Sequence, residues 1–255
     1  MPFTLSHTVL APPIAKLSGQ RLPIAALAIG CMTPDLYRIL SRTEITLNHQ
    51  FKGIIYPDLF VGIIFCLLWY CLYRPVIYKV AGLQDTLKLY NFKKILTFSI
   101  MIILSIIIGT VTHIIWDGLT HSDFRTIAFH SFLQRPVTLF QYTFPMHRIL
   151  QITSSVIALP FIFWMIYHYY LKHKTPQTTS IKTTRFGLVL LSLGIFFGCA
   201  FYVFIAKHTG FIPQHDDLYN VIGFFFKYFT QGALIFLTFG CLIFQILNSR
   251  AYFDK

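Results

Sequence analysis

Acidic side chains are scarce in this 255-residue chain: Asp and Glu together number nine, and Glu44 is the only Glu. Charged residues make up 12% of the sequence against 55% hydrophobic ones, with a mean hydropathy of +0.63, a balance that excludes a soluble globular domain. Cys31, Cys66, Cys71, Cys199 and Cys241 all fall inside apolar stretches with no CxxC spacing, which excludes a disulfide framework. There is no Walker A loop, GxSxG elbow or Rossmann glycine signature, so P-loop nucleotide hydrolysis, serine esterase chemistry and dinucleotide redox are set aside. The opening MPFTLSHTVLAPP has no basic segment ahead of an apolar core and no small-residue cleavage site. A removable signal peptide is therefore not expected, and the chain should insert through its own helices.

What is abundant is apolar and aromatic. Runs at 59–73, 95–116, 149–170 and 186–206 approach or reach the roughly 20 helical residues that cross a hydrocarbon core. The first extends back through Ile54, giving 54–73, and the second reaches Asp117. A fifth run, 221–247, carries Lys227 and Gln231 near its start and is expected to span from Phe229, over 229–247. Residues 1–40 hold two half-length arms, 7–15 and 22–33, around a tip at Ser18 and Gly19. A hairpin there would return His7 and Asp35 to the same level; alternatively 22–40 simply spans. The expected fold is an all-α polytopic membrane helix bundle of about five full spans plus an N-terminal hairpin or sixth span, one integral membrane domain over 1–255.

The net charge of +12 resides in short Lys/Arg tracts between apolar runs, which read as topology signals beside anionic lipid. Membrane lipid, not nucleic acid, is the expected partner. With alternating loops, thirteen Lys/Arg fall on the side of Lys16, Arg74, Lys172 and Arg250, and six on the side of Arg42, Arg125 and Lys207. The richer side should be cytoplasmic. Loops 43–53, 118–147 and 208–220 then face outward, into the periplasm if this is a bacterial inner-membrane protein.

Polar chemistry collects at the outer end of the 95–117 run, in TVTHIIWDGLTHSD. His113, Asp117 and His121 are spaced i, i+4, i+8, so they share one helix face. Imidazole and carboxylate one turn apart can chelate Zn²⁺, Mn²⁺ or Fe²⁺; the bland alternative is a helix end meeting headgroups, anchored by Trp116. Asp35, after Pro34, and His49 would add a carboxylate and an imidazole, leaving room for water whose pKa the ion lowers. His7, in the hairpin arrangement, could hold a second ion with Asp117 bridging. Asp35 is also a candidate general base just off the metal. Gln151, Ser154 and Ser155 would line the same cavity or hydrogen-bond between helices. His121, His130 and His147 are candidates for a further ligand or acid, and His215 with Asp216 and Asp217 forms a loop triplet that could bind a cation or be a solvated turn.

MPFTLSH, LPIAALAIGCMTPDLY, GTVTHIIWDGLTH and LQITSS together resemble an uncharacterised bacterial family of polytopic membrane proteins, classed as a domain of unknown function. That family is distantly similar to membrane-bound metal-dependent hydrolases, which combine an early His, a Pro-Asp and a helical His/Asp pair. More remotely it is similar to the zinc-dependent phospholipase C and nuclease fold. There an Asp and a His fourteen residues apart join a HxxxD pair around one zinc, and an earlier His shares the pair's Asp with a second. The resemblance implies Asp35, His49, His113 and Asp117 around one ion and His7 beside a second. It implies one or two metals, not three, because the third zinc needs a HxxxE pair and Glu44 stands alone.

Three functions are carried forward. The first is a membrane-embedded metal-dependent hydrolase with an outward-facing His/Asp site, acting on a phosphoester or lipid-linked substrate. An ion or proton carrier is the second, disfavoured because the ionisable groups gather at one membrane face. A scaffold whose polar cluster ties helix ends together is the third.

Overall fold

The computed structural model describes residues 4–41, 46–176, 179–212 and 218–253. Arg42, Glu44 and the triplet at 215–217 lie outside the described residues. The protein is all-α and multi-pass. Among the described residues, five helical segments are long and apolar enough to cross a membrane: Phe51–Ala81, Phe92–Thr120, Met146–His173, Ile181–Thr209 and Asn220–Ser249. The last helix starts at Leu218, well ahead of residue 229, so Lys227 and Gln231 lie within it. The chain divides into two compact units, Met1–Cys66 with Lys88–Tyr169, and Leu67–Leu87 with Tyr170–Lys255.

The first unit begins with a 3-10 turn, Thr4–Leu10, that runs into α1 (Ala11–Leu17). Pro12 and Pro13 sit in its first turn, where a missing N–H costs nothing. The chain reverses through Gly19 and Gln20, both in the left-handed region, and returns as α2 (Ile24–Leu40). Ala11, Ala15 and Leu27 bury one another between the arms. At the open end Thr4 Oγ1 donates to Asp35 Oδ2 at 2.7 Å, so residues 4–40 form a hairpin whose ends meet.

Helix α2 lies against the helix Phe92–Thr120 more closely than ordinary side chains allow. A Cβ on Gly30 would fall 2.5 Å from the Ile106 carbonyl oxygen, and one on Gly109 would fall 2.5 Å from that of Leu27. Two glycines thus bring the backbones into contact, the usual device where helices associate in lipid. Pro34 lacks the N–H that would satisfy the Gly30 carbonyl, and Thr110 Oγ1 approaches that carbonyl at 3.4 Å.

The segment Phe51–Ala81 is assembled from short pieces: a π-helical turn Ile54–Leu59, α3 (Phe60–Leu67), a second π turn Leu68–Tyr73 and α4 (Arg74–Ala81). Tyr56, at φ −142° and ψ 121°, leaves the helical region altogether. Next comes α5 (Phe92–Thr120), whose N-cap Asn91 accepts from the Lys94 amide at 2.9 Å. The stretch after it forms a short helix α6 (His130–Leu133) and a hairpin of β1 (Pro136–Leu139) and β2 (Tyr142–Pro145), in antiparallel register Val137 to Phe144. Helix α7 (Met146–His173) follows.

The second unit is built on α8 (Ile181–Thr209) and α9 (Leu218–Ser249). Leu72, Val76, Cys241, Phe244 and Phe253 form its buried centre. Gln245 Nε2 donates to the Cys71 and Leu72 carbonyls at 2.8 and 3.1 Å, tying α9 to the second π turn.

Candidate functional site

The first unit gathers its ionisable side chains around one carboxylate. Asp117, on α5, is buried; His7 Nε2 stands 3.6 Å from its Oδ1, His49 Nε2 3.7 Å from Oδ2 and His113 Nε2 3.5 Å from Oδ2. His49 Nε2 also lies 3.3 Å from Asp35 Oδ1. The five residues come from the 3-10 turn, α2, the 3-10 turn Thr46–His49 and α5, and every one of them is buried.

Two of the imidazoles are locked in one tautomer by main-chain and amide partners. His113 Nδ1 is 2.7 Å from the Cys31 carbonyl, which can only accept, so Nδ1 carries a proton; in the neutral ring Nε2 then presents a lone pair toward Asp117. Asn48 Nδ2 donates to the Pro34 carbonyl at 2.6 Å, which fixes its Oδ1 as acceptor for His49 Nδ1 at 3.2 Å. In the neutral ring His49 Nε2 then also turns a lone pair toward the carboxylate oxygens, and in the protonated ring it donates to Asp35 Oδ1 at 3.3 Å. Facing lone pairs repel, so the cluster needs positive charge, from protons on the imidazoles or from a metal ion.

The separations are long for direct hydrogen bonds and are of the size found between ligands of one ion. A charge-assisted N–H···O bond closes to roughly 2.7–2.9 Å, whereas these gaps are 3.3–3.7 Å. Ligands about 2.0–2.1 Å from a tetrahedral ion stand about 3.3 Å from one another. Two sets of ligand atoms each lie within 4.8 Å of one another: His7, Asp35 and His113, and His49, His113 and Asp117. His7 Nε2, His113 Nε2 and Asp117 Oδ1 are buried without a hydrogen-bond partner, the state expected of donor atoms shaped for an ion. Burial, joined by the neighbouring His113, pushes the His7 imidazole down to about 3, so it stands ready as a neutral ligand.

His121 reaches Asp117 from just beyond the helix end. The helix ends at Thr120, and His121 is its C-cap at φ −112° and ψ 150°. Its Nδ1 turns back to the Asp117 main-chain carbonyl at 3.2 Å and lies 3.5 Å from Asp117 Oδ1, while Nε2 is buried without a partner. Burial pushes its pKa down to about 4 in spite of Asp117 beside it. Gln151 Nε2 donates to the Thr120 carbonyl at 2.8 Å and so braces the end of α5. Ser154 bonds back to Gln151 on its own helix, and it is Ser155 that meets the N-terminal turn, at Ser6. His130 makes its contact with Gln134, and His147, in the first turn of α7, with the Leu133 carbonyl.

Two charged residues at the site are absent from the sequence-based set. Arg125 Nη1 lies 3.3 Å from Asp117 Oδ2, with its side chain 13% exposed. Asp58, fully buried in the π turn Ile54–Leu59, has neither carboxylate oxygen bonded, and its turn packs against α2, α5 and the His49 turn. The rule that singles out Asp35, an acid within an apolar segment, applies equally to Asp58.

Beside the cluster, Leu10, Thr112, Ile115, Trp116, Leu119 and Thr120 line an apolar groove of about 360 Å³. Trp116 joins the two, since its ring also meets the His7 ring edge-on at 6.0 Å.

The family described as a domain of unknown function (DUF4184) matches residues 1–244, and the chain belongs to it. No curated protein and no solved structure matches the chain.

Proposed function

We propose that this DUF4184 protein is a membrane-embedded, metal-dependent hydrolase that acts on a lipid-linked substrate, with zinc, or else manganese or iron, held by His7, Asp35, His49, His113 and Asp117. The observation that carries this reading is the convergence of His113 and His49, each anchored through Nδ1, with their Nε2 atoms 3.3–3.7 Å from the carboxylates of Asp117 and Asp35. A divalent ion bound there would supply Lewis acidity and activated water at neutral pH.

The remaining chemistry belongs to the chain. Asp35 accepts from Thr4 on one oxygen and faces His49 with the other, so it is positioned either to bind the ion or to take a proton from attacking water. Asn48 and the Cys31 carbonyl orient the imidazoles, and orienting partners of this kind tune ligand basicity. The groove supports a lipid substrate: Ile115 and Leu119 are exposed on a membrane-spanning helix, where the surrounding medium is acyl chain. The distribution of Lys and Arg supports a bacterial inner membrane with the site toward the outer face.

Elemental analysis of detergent-purified protein tests the reading. One or two Zn, Mn or Fe per chain in the wild type, lost from folded His113→Ala and Asp117→Ala variants, is the expected result. A folded wild type that takes up no metal after reconstitution overturns it.

A further inference from the structure

We infer that Arg125 forms an anion subsite at the mouth of the His/Asp cluster and that the group it receives is a phosphate. The inference rests on the metal-dependent reading above and specifies its substrate class.

Arg125 is held in a fixed orientation. Its Nε lies 2.9 and 3.1 Å from the two oxygens of Asp123, and a second guanidinium nitrogen, Nη2, also donates to that carboxylate. Against the cost of partial burial, these bonds hold the Asp123 carboxyl below its usual range. The loop carrying both residues is tied down in turn. Thr126 Oγ1 donates to the His121 carbonyl at 2.7 Å, the Ile127 amide donates to the Gly118 carbonyl at 2.9 Å, and Ile127 covers Gly118 so closely that a Cβ there would fall 2.3 Å from its Cδ1.

The outcome of this bracing is that one nitrogen, Nη1, is aimed at Asp117 Oδ2 from 3.3 Å. A guanidinium carries five N–H donors, and only part of the fork is engaged by Asp123. Were Asp117 to serve as a ligand, the oxygen that Nη1 faces would be shared, and the guanidinium would offer planar, charged donors to an oxyanion. Arginine and a divalent ion together form the usual clamp on the non-bridging oxygens of a phosphoryl group. A neutral ester or amide has no charge to match the part of the guanidinium that Asp123 leaves unengaged. Arg125 binds charge here and takes no part in bond making.

The test uses the full chain, purified in detergent and loaded with zinc, beside Arg125→Gln and Arg125→Lys, with metal content and thermal stability recorded for each. The probes are inorganic phosphate and nanodiscs of phosphatidylcholine with or without phosphatidic acid, read by titration calorimetry. Arg125→Gln is expected to keep its zinc and bind phosphate about 10- to 100-fold more weakly. Arg125→Lys, which keeps the charge but not the fork, should fall between the two, and it carries the comparison if the Gln variant fails to fold. A preference for the phosphatidic acid discs over free phosphate assigns the ligand to the bilayer; parity assigns it to solution. Zinc-loaded wild type that binds no phosphate, or binds it no better than the variants, overturns the subsite and leaves the metal reading intact. A wild type without metal overturns both.

Discussion

The imidazoles of His7 and His113 stack with ring centroids 4.0 Å apart and an interplanar angle of 25°, and neither Nε2 has a hydrogen-bond partner. Residues more than a hundred positions apart are thus held face to face while each keeps one nitrogen aimed at Asp117. His7→Phe keeps the stack and removes the nitrogen. The expected result is a folded protein with reduced metal content, whereas His113→Ala, which strikes both ligand sets, should lose metal altogether. Elemental analysis with a thermal melt for each variant checks both. Complete loss from His7→Phe would mean that a single ion needs all the imidazoles.

Asn48 touches no ion in this scheme, yet its amide fixes the direction of His49. Asn48→Ala should weaken zinc affinity by about 10- to 100-fold without abolishing binding. Competition against a chromophoric chelator measures it. Unchanged affinity would show that His49 is oriented by its packing alone.

Asp58 carries two buried oxygens with no partner, and an unsatisfied buried polar group costs roughly 1–3 kcal/mol. Asp58→Leu is therefore expected to raise the stability of metal-free protein by about that amount, read as a higher melting temperature in detergent. A lower melting temperature would show that the carboxylate has a partner of its own.

The contact between α2 and α5 predicts a severe position at Gly109. Gly109→Val would drive a side chain into the Leu27 carbonyl and the Cys31 amide. Separating the helices should cost at least about 1–3 kcal/mol and lengthen the His113 to Cys31 bond, so metal affinity and melting temperature should fall together. A loss of stability with metal affinity intact would mean that the two features are independent.

The membrane spans were legible because twenty apolar residues in a row admit few other structures. His113 and Asp117 were legible because both lie inside one helix, where sequence spacing fixes the shared face. Past the helix end spacing says less: His121 sits on extended backbone, and its ring meets both the main-chain oxygen and, at 3.5 Å, the carboxylate of Asp117. Arg125 was counted as a topology charge, since nothing local reveals that a braced loop folds it back over Asp117. Asp58 was hidden by averaging, because one acid barely lowers the hydropathy of its run. The hairpin of β1 and β2 has a local signal, because Val137, Thr138, Tyr142, Thr143 and Phe144 are strand formers bounded by prolines.

The group that orients His113 is a peptide oxygen. Substituting the Cys31 side chain leaves that oxygen where it is, so the lock on the imidazole is robust to point mutation at the residue that supplies it. Its vulnerability lies elsewhere, at Gly30, Gly109 and Pro34, which set where the backbone of α2 runs. Mutational sensitivity around this centre should therefore map onto helix placement, at residues with no donor atom of their own.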